Sequence, residues 1–238
     1  MSVVVEAVDR AILDRLLAED CTAVYNVLKM AGHVLPDAYS GPELRCLFPG
    51  LPLPIIGYAA TAELTAGDDE ADNADFLAFL EAIEAMPTPK IVVLSDVGRN
   101  AGRGGIMGDG MLKEFATFGC VGAVVGGSVI DLVGLEGLRV PVYASGVVPA
   151  YDQLRMARWG TSVSVGPLSI AHGDLLMADR GGVIRIPRHL APVAVEGMAS
   201  FRALERSIST VLDRPGITVA DVRAWYAANE PEFLGDEA

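Results

Sequence analysis

The chain has 238 residues, of which 51% are hydrophobic and 21% charged, so a large core is available and a disordered chain is excluded. Its net charge of −13 argues against nucleic acid as a direct partner, because phosphate binding needs clustered Lys and Arg. Three cysteines (Cys21, Cys46 and Cys120) without a CxxC pattern offer neither a disulfide framework nor a zinc knuckle.

In chain order, Val5, Val8, Ile12 and Leu16 keep helical spacing. Asp20 or Thr22 can cap a second helix carrying Val24, Val27 and Leu28, with Gly32 as its stop. A Pro- and Gly-rich stretch from Leu35 to Pro54 reads as a long ordered loop. Ile55 to Thr65 reads as a strand of small residues. The acidic run Asp68, Asp69, Glu70, Asp72 and Asp75 reads as a solvated turn into a helix from Asn73 to Met86.

Lys90 to Ser95 reads as a buried strand, and Asp96 to Gly108 as a glycine-rich loop holding Arg99 and Arg103. Met111, Leu112, Phe115 and Phe118 give the next helix an apolar face that ends at Gly119. Val121 to Val125 is a strand, Leu132 to Leu138 a short helix and Pro141 to Ala144 another strand. From Ser162 short strands follow: Ser162–Gly166, Leu168–Ile170 and Gly182–Ile186. Pro192 opens a long helix, and Thr218-Val-Ala-Asp221 has the shape of a capping box before a last one. The pattern predicts one mixed α/β layered domain over residues 1–238, with a core at about 20–190 and a C-terminal helical arm beyond it.

Two aspartates stand out. Asp109 lies in Gly108-Asp109-Gly110, at the start of a helix-like run. Asp131 ends Gly126-Gly127-Ser128-Val129-Ile130-Asp131, after a strand-like run. Twenty residues lie between Asp109 and Ile130. If the helix and strand between them fold back, both carboxylates can face one pocket. Carboxylates beside backbone N–H groups are a minimal recipe for a hydrated Mg²⁺ and an anionic substrate. Gly110, Met111 and Leu112 would supply the N–H donors. The bland alternative is that each aspartate is an N-cap.

Other chemistries have less support. Gly104 to Gly110 lacks the GK[ST] ending of a phosphate-binding loop. His33, His172 and His189 are far apart, which disfavours a zinc site. Ser128 and Ser145 lack a GxSxG context. Glu205 in the long helix reads either as part of a solvated face or as a residue offered to a neighbouring subunit. The absence of a basic, apolar leader and of any apolar run near ~18 residues points to a cytoplasmic protein with no membrane partner.

Leu112 to Asp131 resembles the RraA-like superfamily, which includes class II pyruvate aldolases cleaving 4-hydroxy-4-methyl-2-oxoglutarate and the regulator of ribonuclease activity A. The resemblance extends to Pro141-Val-Tyr-Ala-Ser-Gly146 and to His172 through Pro187. It implies a swivelling ββα-type layered fold, a homotrimer or hexamer with sites between subunits, and a metal-dependent lyase using Mg²⁺ or Mn²⁺ on a small 2-oxo acid. The family signature is Asp, twenty residues, then Arg-Asp. Asp109 and Asp131 match it, but Ile130 occupies the arginine position and Asn26 stands where many relatives have Asp. The resemblance implies that Asp131 holds the metal through water, that Asp109 positions water, and that Glu205 comes from a neighbour's helix. Arg99 or Arg103 could replace the missing arginine, Arg103 being the candidate carried forward. A catalytically silent binding or regulatory protein is the alternative.

Overall fold

The longest strand, β2 (Ile55–Ala66), is buried along its whole length, as a run of small and apolar residues at the centre of a sheet should be. The computed structural model describes residues 7–33, 35–67 and 74–234. Val5 and the acidic residues 68–72 lie outside these; Asp75, at the end of that acidic run, caps the following helix through Leu77 N and Ala78 N.

The helices are α1 (Arg10–Leu16), α2 (Cys21–Met30), α3 (Phe76–Ala85), α4 (Asp109–Thr117), α5 (Leu132–Gly137), α6 (Ala191–Leu212) and α7 (Val219–Leu234). The other strands are β1 (Arg45–Cys46), β3 (Lys90–Asp96), β4 (Gly105–Met107), β5 (Cys120–Val129), β6 (Val142–Val147), β7 (Leu154–Trp159), β8 (Val163–Val165), β9 (Leu168–Ile170), β10 (Leu175–Asp179) and β11 (Gly182–Ile186). Nine strands form one sheet in the order β1-β6-β5-β3-β2-β10-β11, with β4 beside β5 and β7 beside the far end of β2. Strands β2, β3, β5, β6 and β4 run parallel, while β1, β7, β10 and β11 are antiparallel to their neighbours.

The sheet separates two apolar layers. On one face, Leu64, Val92, Leu94, Val125 and Val129 pack with residues of α1 to α4 and α6. On the other, Ile91, Val93, Val124 and Tyr143 pack under the β8–β9 hairpin. This is the layered α/β architecture expected, with helical arms at both ends. Helices α1 and α2 lie on α6, and Gly197 of α6 leaves room for Val27, since a Cβ there would sit 2.6 Å from Val27 Cγ1.

Lys90 is only 2% exposed, yet its ammonium is satisfied. It donates to the carbonyls of Ile83 and Glu84 at the end of α3, and to Phe118 O after α4. One buried cation thus closes two helix C-termini, where cations are favoured.

Four strands were not visible in the sequence pattern: β1, which lies in the stretch Leu35 to Pro54 read as a loop, and three more. Strand β4 interrupts the loop from Asp96 to Gly108, and β7 and β10 both pair with β2. Strand β5 also runs on through Gly126 and Gly127, which reads in sequence as a joint. Val165 covers Gly126, and Asp96 and Ile106 cover Gly127, at distances that leave no space for a Cβ to sit unhindered.

Candidate active site at the ends of the parallel strands

Strands β4 and β5 are parallel neighbours, with Gly105 opposite Ser128 and Met107 opposite Val129. Helix α4 leaves the end of β4, and α5 leaves the end of β5. Asp109 and Asp131 therefore emerge side by side at the carboxyl edge of the sheet, where open α/β sheets bind ligands. Ile130 N donates to Met107 O at 3.0 Å and ties the two exits together.

Neither aspartate is a cap of the kind expected from its position. Asp109 is the first residue of α4, behind the N-cap Gly108, and Asp131 precedes α5 without a side-chain cap bond. Both are exposed. Each carboxylate rests instead against the other's segment. A Cβ at Gly134 would collide with the Asp109 carboxylate, and one at Gly108 would lie 2.9 Å from Asp131 Oδ2. Asp131 is also left-handed, at φ 56° and ψ 46°. That conformation costs an L-residue about 1–2 kcal/mol and is tolerated best by Asn and Asp outside glycine.

Of the three N–H donors, one is already engaged. Leu112 N donates to Gly108 O at 3.1 Å as the first bond of α4, and its side chain is fully buried. Gly110 and Met111 lie in the unsatisfied first turn and remain available to an anion.

The glycine-rich loop is held from below. Asp96 accepts from Gly98 N at 3.0 Å and Gly102 N at 2.7 Å, and the Ser128 hydroxyl donates to Gly102 O at 2.6 Å. Arg103 follows directly, exposed and without an ion pair among the described residues. Arg99 is exposed on the same loop. Asp96 and Ser128 were missed as site-building residues. The Asp-x-Gly turn signature could have revealed Asp96; nothing in the sequence marks Ser128.

Glu205 does not join this group within one chain. It lies on α6, where Arg202 Nη1 donates to it at 2.7 Å; the same guanidinium contacts Glu19 and Asp20. Cysteine chemistry finds no support. Burial raises the thiol pKa of Cys21 and Cys46 and pushes Cys120 up to about 12, so all three stay protonated near neutrality. No group of three His, Cys, Asp or Glu side chains converges among the described residues. A metal with one or two carboxylate ligands fits this edge only if it keeps most of its water, which is the habit of Mg²⁺.

The RraA-like family model, described as Aldolase/RraA, matches residues 24–185. The chain belongs to the RraA-like family. A Halalkalibacterium halodurans protein with the provisional name of 4-hydroxy-4-methyl-2-oxoglutarate aldolase is 30% identical over 161 residues, 65% of this chain and 72% of that protein. Protein DlpA of Legionella pneumophila is 25% identical over 155 residues, but the match covers only 25% of its length. Among solved structures, Streptomyces coelicolor RraAS2, described as an unusual member of the RNase ES inhibitor RraA protein family, superimposes with TM-score 0.70 at 22% identity. That match covers 84% of this chain and 96% of that one. An uncharacterised Pseudomonas syringae protein gives TM-score 0.68 at 19% identity, over 92% and 99% of the two chains. At these identities the structural likenesses establish the RraA-like fold. The family match stops before α6, so Glu205 lies outside it.

Proposed function

We infer that this RraA-like protein is a divalent-metal-dependent carbon–carbon lyase of the cytoplasm, acting on a small 2-oxo acid through a pyruvate enolate. The observation that carries the reading is the pair of exposed, uncapped carboxylates, Asp109 and Asp131, interlocked at the carboxyl ends of β4 and β5. The name of the Halalkalibacterium relative points the same way.

Bound Mg²⁺ or Mn²⁺ would supply Lewis acidity at the substrate's carboxylate and keto oxygens. Asp131 would hold that ion through its water shell. Asp109, on the adjoining helix, would orient a water and accept its proton. Gly110 and Met111 N–H groups would fix the substrate carboxylate at the start of α4. Arg103 is the cation best placed in sequence to meet developing negative charge, in place of the family's arginine. A homotrimer or hexamer would bring Glu205 of one subunit towards the site of another, once released from Arg202.

A second reading has its own observation. Ile130 puts an apolar side chain where the family signature has arginine, and a missing donor to developing charge costs several kcal/mol in a transition state, about 3–4. This favours a catalytically silent RraA-like binding or regulatory protein. The deciding experiment incubates the protein with Mg²⁺ and, in separate samples, oxaloacetate and 4-hydroxy-2-oxohexanoate, and follows pyruvate, with Asp131→Ala as control. Metal-dependent pyruvate above that control from either substrate supports the lyase; none from either leaves the binding protein. Light scattering on the same sample reads the trimer or hexamer.

A further inference from the structure

Ile130 does more than leave a position unfilled. Its Cγ2 lies where a Cβ on Gly105 would come within 2.5 Å, and its Cγ1 and Cδ1 lie 3.1 and 3.4 Å from the Cβ position of Gly108. The same Gly108 position is 2.9 Å from Asp131 Oδ2. The Cγ1–Cδ1 arm of Ile130 and the Asp131 carboxylate thus share one glycine, directly before the α4 N–H groups that would hold a substrate carboxylate. The wall is rigid. Ile130 is β-branched, and its backbone is tied to Met107 O. The side chain is half-buried, so it has an open side as well as a packed one.

A substrate group lying along this wall meets the apolar side chain of Ile130. A second carboxylate there would lose water and find no donor on Ile130. An alkyl group would gain contact and lose nothing polar. We propose that Ile130 is a specificity-determining residue that restricts the site to 2-oxo monocarboxylic acids with an alkyl tail, and rejects 2-oxo diacids. The proposal rests on the 2-oxo acid reading of the site above.

For the lyase this class is a 4-hydroxy-2-oxo acid with an alkyl group on C4. The 4-hydroxyl passes its proton to the water oriented by Asp109 and becomes a carbonyl as the C3–C4 bond breaks. The bonding pair passes to the pyruvate enolate, which takes a proton from water at C3. The products are pyruvate and an alkyl aldehyde. A 4-hydroxy-2-oxo diacid would instead release an aldehyde acid.

Two readouts separate this proposal from the lyase reading. Calorimetric titration with Mg²⁺ present compares 2-oxohexanoate with 2-oxoadipate, neither of which has a 4-hydroxyl to cleave. Pyruvate release compares 4-hydroxy-2-oxohexanoate with 4-hydroxy-2-oxoglutarate. We expect the wild-type protein to favour the monoacid at least about tenfold in both, a modest discrimination for one side chain. Ile130→Arg should reverse the order, and Ile130→Val, which keeps the apolar wall and is the safer variant to fold, should preserve it. A wild-type preference for the diacid, equal binding of the two, or no binding of either overturns the proposal. Selective binding of the monoacid without any pyruvate release upholds the proposal and overturns the lyase alone.

Discussion

The Asp109 carboxylate occupies the space that a side chain at Gly134 would need. Asp131 and Gly108 repeat the relationship in the other direction, at 2.9 Å from Asp131 Oδ2 to the Gly108 Cβ position. The two helix starts are therefore keyed into each other by an acid and a glycine on each side.

Gly134→Ala should damage the site more than the fold. Alanine favours a helix over glycine by about 1 kcal/mol, which offsets part of the local collision. The new methyl must displace the Asp109 carboxylate. We expect metal-dependent pyruvate formation to fall at least about tenfold, with urea stability changed by no more than about 1 kcal/mol. Unchanged turnover would mean that the position of Asp109 is immaterial.

Asp131→Gly should separate stability from activity. Glycine adopts the left-handed backbone of residue 131 without the cost of about 1 kcal/mol borne by an L-residue. The variant should unfold at the same or a higher urea concentration than the wild type and yet lose its response to Mg²⁺. A variant that keeps that response would remove Asp131 from the metal site.

Lys90→Met should destabilise the protein by about 2–3 kcal/mol, because it strips the donor from three carbonyls at two helix ends. Equilibrium urea denaturation measures it. A loss below about 0.5 kcal/mol would show that water or local rearrangement satisfies those carbonyls instead.

Acid should loosen the turn that carries His172. Its Nδ1 accepts from Thr61 N at 3.3 Å, which needs a neutral ring, and burial lowers the imidazole pKa below the usual 6.5. On acidification the unfolded chain then binds its proton first. This contribution to stability is complete above pH 6.5 and is lost as the pH falls from there towards the lowered folded-state value. Urea midpoints at pH 7.5 and 5.5 should differ less in His172→Gln than in the wild type. Equal differences would assign the acid sensitivity to other groups.

Much of this architecture was legible in the chain. The amphipathic spacing of Phe79, Leu80 and Ile83, the capping residue Asp20 and the stop at Gly32 all act locally, and local signals survive in a single sequence. Strand β10 did not announce itself, because Leu-Leu-Met-Ala has no alternation and is buried on both faces. Strand β4 is three residues inside a glycine-rich loop and exists only because β5 runs beside it. At the site, spacing alone paired Asp109 with Asp131. It could not distinguish a cap from a free carboxylate, because that depends on the helix beginning at the aspartate itself, as α4 does at Asp109, and on backbone conformation, which is left-handed at Asp131 in the N-cap position of α5. Nor could it reveal that Leu112 N is already engaged, or that Arg202 holds Glu205.

The packing of α1 and α2 on α6 also sets an order of events during synthesis. Leu16, Val24 and Val27 are made early, but the face that covers them, around Gly197 and Phe201, is made more than 150 residues later. At ordinary translation speeds the gap lasts roughly ten to thirty-five seconds. Throughout it the nascent chain carries an uncovered apolar stripe on α1 and α2, a target for holding chaperones that disappears only when α6 arrives.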